Sequence, residues 1–157
     1  MRNIIIINSG PYATKAFAEY AEVLPPLHYS YSTNNDDAVE GNDMEQSCPS
    51  AKVLFDAATK HGIYIIGGSI SEKENDLIYN TCLCISPNGI LVAKHRKVHL
   101  FDIDVKGGIT FKESDTLTGG DTISVFDTGD DLFGPIGVGI WYVLIDALND
   151  MPTLDAF

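Results

Sequence analysis

The hydrophobic pattern changes period near residue 62. Before it, apolar positions recur at helical spacing. After it, short apolar runs alternate with Gly, Pro, Asn and Asp clusters, which reads as strands and tight turns. Arg2 to Asn8 predicts a short buried strand stopped by Ser9-Gly10-Pro11. Thr14 to Val23 predicts a helix, capped by Thr14, with Phe17, Tyr20 and Ala21 on one side and Pro25-Pro26 as its stop. A polar, acidic stretch from Ser30 to Pro49 has few apolar anchors and predicts an exposed, mobile loop. Ser50 is then the expected cap of an amphipathic helix with Val53, Leu54, Ala57 and Ala58 facing inward and Gly62 ending it.

Beyond Gly62 the expectation is sheet. Ile63 to Ile70 reads as a strand whose Gly67-Gly68 marks a bulge or a close backbone approach. Leu77 to Ile85 and Ile90 to His99 read as a hairpin turning at Pro87-Asn88-Gly89. Asp121 to Thr128 and Gly134 to Tyr142 form a second predicted pair across Gly129-Asp130-Asp131. Helices packed on a sheet make the expected class α/β.

Composition narrows the function. A formal net charge of −12 over 157 residues excludes an extended basic face of the kind that holds nucleic acid. No apolar run is long enough to cross a membrane as a helix, and Ile4 to Ile7 is too short for a signal-peptide core. Cys48, Cys82 and Cys84 suit a reducing compartment, so the expected location is cytoplasmic, an organelle remaining open. The spacing Cys82-x-Cys84 puts both thiols on one strand face, and without a second Cys or His pair they read as small buried residues rather than metal ligands. No cofactor is expected.

Against this acidic background one segment stands out. Lys94-His95-Arg96-Lys97-Val98-His99 gathers three cations and two histidines. Adjacent like charges cost energy unless they are solvated or answered. A solvated edge strand is one explanation and a functional site is the other.

The residues around this cluster carry a family likeness. His95-Arg96-Lys97-Val98-His99-Leu100-Phe101-Asp102-Ile103-Asp104, Gly67-Gly68-Ser69-Ile70, Tyr79-Asn80-Thr81-Cys82, Ile109 to Ser114 and Gly137-Val138-Gly139-Ile140 resemble the nitrilase superfamily of carbon–nitrogen hydrolases. Within it the sequence is most similar to the omega-amidases. The resemblance implies an α-β-β-α sandwich and a partner in the form of a small dicarboxylate monoamide, hydrolysed through a cysteine thioester with release of ammonia. It assigns Lys97 to the catalytic lysine that steadies the oxyanion, and Glu113 to the glutamate that positions this lysine. Read alone, Glu113 would be an ordinary surface-loop carboxylate.

The chain departs from that pattern at two decisive places. The family's Gly-Ile-Cys-Tyr-Asp is replaced by Gly139-Ile140-Trp141-Tyr142-Val143, so an indole stands where the nucleophilic thiol belongs. The general-base glutamate falls on Ile5, and the first acidic residue is Glu19. The expectation is a partial sandwich over residues 1–142, roughly the first half of the family fold without its first strand and helix, followed by an unrelated tail over 143–157. Such a chain is expected to be inactive. The alternative is a non-catalytic module that binds an intact homologue, or a small anion near Lys97, as a homo- or hetero-oligomer.

Overall fold

The computed structural model describes residues 4–6, 17–32, 44–108, 110–129 and 134–140. Its centre is a sheet built from β1 (Ile4–Ile6), β2 (Tyr64–Ile66), β3 (Ile70–Glu74), β4 (Leu77–Ile85) and β5 (Leu91–Arg96). The long strand β4 carries β5 along one edge, and β2 followed by β3 along the other, all antiparallel to it. β1 lies parallel to β2 at the far side.

The predicted strand over Ile63 to Ile70 is therefore two strands on one edge, and it runs further than its apolar residues suggested. Ile66 pairs with Cys84 and Ile70 with Thr81, so three residues face two across the break, which is a bulge. Gly67 also fulfils the expected close approach: a Cβ there would meet Leu54 Cδ1 at 2.6 Å. β3 itself, Ile-Ser-Glu-Lys-Glu, is held by pairing with β4 rather than by an apolar pattern.

The hairpin across Pro87-Asn88-Gly89 forms as expected, with Gly89 N–H donating to Ser86 O at 3.0 Å. It contains a second irregularity. Cys84 pairs with Ala93 but Ile85 pairs with Leu91, leaving Val92 as one extra residue on β5. Side chains beyond it are shifted by one position. Ala93 and His95 share the face of Cys82 and Cys84, while Lys94 and Arg96 share the face of Tyr79 and Thr81. β5 stops at Arg96 rather than His99.

One face of the sheet is covered by the helix α2 (Pro49–His61), preceded by the short α1 (Met44–Ser47). The buried stripe of α2 is Ala51, Leu54, Phe55 and Ala58, at i, i+3, i+4 and i+7. This corrects the predicted face: Val53 is 65% exposed. Burial of Phe55 contributes roughly 1.5–3 kcal/mol, and Tyr29 and Tyr31 pack their rings against it. Tyr31 and the buried Met44 and Cys48 correct the reading of residues 30–49 as an exposed loop, at both of its described ends.

The cap is corrected too. Pro49 opens α2, so Ser50 lies inside its first turn, and Ser50 N–H donates to both carboxylate oxygens of Glu22 at 3.1 Å. Glu22 can reach because the predicted Thr14 to Val23 helix is absent over its described part. Residues 17–20 form a turn, and Glu22 is extended, bridging to Glu72. Its amide and carbonyl bond Ser71 O and Lys73 N–H, both at 2.8 Å, so sheet pairing outweighs helical propensity here.

The opposite face is covered by the hairpin of β8 (Ser124–Asp127) and β9 (Pro135–Val138), shorter than predicted but paired as expected. Phe126 stacks on Tyr64, and both pack with Cys82, Cys84, Ala93 and Ile140. The two cysteines are buried as small core residues, and Cys82 Sγ donates to Gly67 O at 3.1 Å. A further hairpin, β6 (Asp102–Asp104) with β7 (Thr110–Lys112), was not anticipated, because its alternation is brief and polar. Helix, sheet and strand pair thus stack as an α-β-β arrangement among the described residues, which is the expected α/β class. No helix among them is long and apolar enough to cross a membrane.

Candidate functional site

Lys97 directly follows β5 and is fully buried, at 0% exposure. Its backbone is pinned on both sides. Lys97 N–H donates to Asn80 O, and Gly120 N–H donates to Lys97 O, each at 2.8 Å. The second bond requires the glycine, since a Cβ at Gly120 would lie 2.6 Å from Arg96 O. The Lys97 ammonium then donates to Glu113 Oε2 at 2.7 Å.

Glu113 opens a single 3-10 turn, Glu113–Asp115, after β7 and is 2% exposed. It is no surface-loop carboxylate. The β6–β7 hairpin returns the chain so that Glu113 N–H bonds Phe101 O at 3.1 Å, and Phe101 N–H donates to Glu113 Oε2 at 2.8 Å. The structure thus brings together the two residues singled out by sequence, sixteen positions apart, as one buried ion pair.

The rest of the basic cluster is answered too, apart from the exposed His99. Glu72, on β3, is 1% exposed and gathers most of it. Arg96 binds it with two prongs, Nε and a terminal nitrogen, both at 2.8 Å. Lys94 forms an ion pair with the same carboxylate, and Thr81 Oγ1 donates to it at 2.6 Å. The Arg96 guanidinium also lies 3.9 Å from the centre of the Tyr79 ring. Burial pushes the Glu72 carboxyl up, but the hydrogen bonds from Arg96, Lys94 and Thr81 outweigh burial and hold it below its ordinary value. Sequence reasoning missed Glu72. Its only signal is the alternation Glu72-x-Glu74, which matches Lys94-x-Arg96 at strand period.

His95 points to the other face. It is 3% exposed, its Nδ1 lies 3.2 Å from Ser124 Oγ, and its Nε2 has no partner among the described residues. Burial lowers its pKa, so the neutral ring is favoured. Ile5 lies in β1, paired with Ile65, whereas Trp141 falls outside the described residues. No group of His, Cys, Asp and Glu among the described residues could hold a metal ion.

The carbon-nitrogen hydrolase family profile matches residues 13–143. The chain belongs to the carbon–nitrogen hydrolase family. Within this family it is 44% identical to omega-amidase NIT2-B of Xenopus laevis and 42% identical to omega-amidase NIT2 of Homo sapiens. Each match runs over 134 residues, 85% of this chain and 40% of the relative. The chain therefore spans well under half the length of the curated relatives it matches. Nit3 of Saccharomyces cerevisiae, a nitrilase-superfamily member, superposes with a TM-score of 0.61 at 30% identity, over 87% of this chain and 41% of Nit3. The Caenorhabditis elegans NitFhit protein superposes with a TM-score of 0.54 at 29% identity, over 63% of this chain and 24% of that protein. This member of the carbon–nitrogen hydrolase family carries Trp141 near the end of the matched region.

Proposed function

We propose that Lys97 and Glu113 are the oxyanion-stabilising lysine and its positioning glutamate in an omega-amidase-type site, and that this chain does not turn over an amide. The supporting observation is the wholly buried pair at 2.7 Å in a chain so similar to omega-amidases. A fixed ammonium in a dry site can meet the negative oxygen of a tetrahedral intermediate with little reorganisation. Glu113 holds that ammonium in place and offsets its charge until substrate arrives.

That half of the chemistry needs the other half. In the family reaction a thiolate attacks the amide carbonyl, ammonia leaves, and water releases the acid from the thioester. Trp141 offers no lone pair of comparable nucleophilicity and adds a large ring where the thiol would stand. Ile5 cannot accept the thiol's proton. With nucleophile and base both gone, positioning and electrostatics remain without the bond-forming partner. The matched substrate class would be a small dicarboxylate monoamide.

The test is ammonia release from succinamate by the purified, folded chain, followed with a coupled dehydrogenase. The expected result is no release above a protein-free blank. Trp141→Cys is expected to stay silent as well, because Ile5 still lacks a proton-accepting group. Steady turnover by the unaltered chain would overturn the proposal.

A further inference from the structure

A cleft of about 230 Å³ is lined by Leu27, Lys94, Arg96, Asp121, Thr122 and Ser124, without Lys97. Its walls come from separate parts of the chain. Leu27 precedes the segment whose His28 N–H and Tyr29 O bond Leu91. Residues 121–124 follow Gly120, which is pressed onto Arg96, and Ser124 Oγ donates to Lys94 O at 3.3 Å. Lys94 and Arg96 reach the cleft from β5 between them.

The cations here keep unused donors. Glu72 and Glu74 engage Nε and one terminal nitrogen of Arg96, leaving the other terminal nitrogen without an acceptor among the described residues. Lys94 has three N–H groups and one partner, Glu72. Asp121 stands exposed, with Oδ1 accepting from its neighbour Thr122 at 2.8 Å and Oδ2 open. The lining of the cleft therefore includes both carboxylate-binding donors and an ammonium-binding oxygen.

Charge then selects between ligand classes. Lys94 and Arg96 contribute two positive charges, and Glu72, Glu74 and Asp121 contribute three negative ones, a local sum of −1. A simple anion would be opposed by that sum, and a simple cation would leave the spare N–H groups unused. A zwitterion satisfies both ends without adding net charge. The volume falls below the roughly 300–1,000 Å³ of drug-sized sites, which suits a molecule of a few heavy atoms. We infer that this cleft binds a small zwitterion of the amino-acid class, its carboxylate on Lys94 and Arg96 and its ammonium on Asp121. The inference is independent of the reading of Lys97, which contributes nothing to the cleft.

The experiment is an amide-resolved NMR titration of the full chain with L-alanine, with propionate and ethylamine as single-charge controls. The expected result is L-alanine binding with a Kd of about 1 mM, typical of a small, partly open polar site, shifting Thr122 and Ser124. Propionate and ethylamine are expected to bind at least about ten times more weakly, a difference worth one cross-cleft contact. Asp121→Asn, an exposed change that leaves the fold intact, should reduce L-alanine to the level of propionate. L-alanine binding no tighter than propionate, unchanged by Asp121→Asn, or absent would each overturn the inference.

Discussion

Two carboxylates answer the basic cluster, and they do so in opposite styles. Glu72 receives a bidentate guanidinium, an ammonium and a hydroxyl, with an aromatic ring beneath the guanidinium. Glu113 receives one ammonium and one backbone amide through a single oxygen. Both are buried, so burial alone does not separate them. The number of ties does. Glu72 is over-determined and acts as an anchor joining β3, β4 and β5, whereas Glu113 ties the Lys97 ammonium to the backbone of Phe101. A buried ion pair is weak evidence of stability in itself, since desolvation offsets most of the attraction. Two such sites, one on Arg96 and one on Lys97 directly after it, thus serve different ends.

Removing the anchor should have the largest effect. Glu72→Ala leaves Lys94 and Arg96 half-buried beside each other and strips Thr81 of its acceptor. The expected loss is about 3–5 kcal/mol, read as a lower urea midpoint at unchanged slope. A loss below about 1 kcal/mol, the usual worth of an exposed pair, would mean that the cluster is solvated after all.

Lys97→Met should cost less, about 1–3 kcal/mol, because it removes one charged hydrogen bond and Glu113 still accepts from Phe101 N–H. Adding Glu113→Gln to Lys97→Met should recover most of that loss, since the remaining amide is uncharged and keeps its backbone partner. If the double variant is as unstable as the sum of the singles, the pair does not act as a unit.

Acidification should produce the smallest and most graded effect, in two stages. Burial lowers the folded pKa of His95 below its ordinary 6.5, so the unfolded chain takes up a proton first. Its contribution is complete above pH 6.5 and is lost as pH falls from there through the folded value. Glu72, also lowered, adds stability that is complete above its ordinary 4.5 and fades at lower pH still. Urea melts at stepped pH should show both stages, and His95→Gln should flatten only the upper one. An upper stage that persists in His95→Gln would point to another group.

Much of this was legible in the sequence where signals are local. The turn at Pro87-Asn88-Gly89, the helix ending at Gly62, the β8–β9 pair and the burial of Cys82 and Cys84 all follow from neighbours in the chain. Lys97 and Glu113 were found through motif resemblance, which carries tertiary information that periodicity lacks. What was missed depends on distant partners. Residues 17–22 have helical spacing, yet Glu22 gains two sheet bonds and the amide of Ser50, twenty-eight residues away. The polar run of β3 becomes a strand only because β4 lies beside it, and Glu72 has no meaning until Arg96 is folded against it twenty-four residues later.

The extra residue at Val92 works like a reading frame. Everything downstream on β5 is assigned to one face or the other by counting in twos from that point, so parity, rather than the identity of any side chain, decides which cation meets which carboxylate. Deleting Val92 would make Leu91 and Ala93 neighbours opposite Ile85 and Cys84 and keep Arg96 opposite Thr81, whereas one more residue after Val92 would leave every functional residue in the sequence and hand Arg96 to the face of Cys82, with Lys94 beside it. An insertion of one residue between Leu91 and Lys94 is therefore far more damaging than a substitution there, and the deletion of one is the change this segment can absorb.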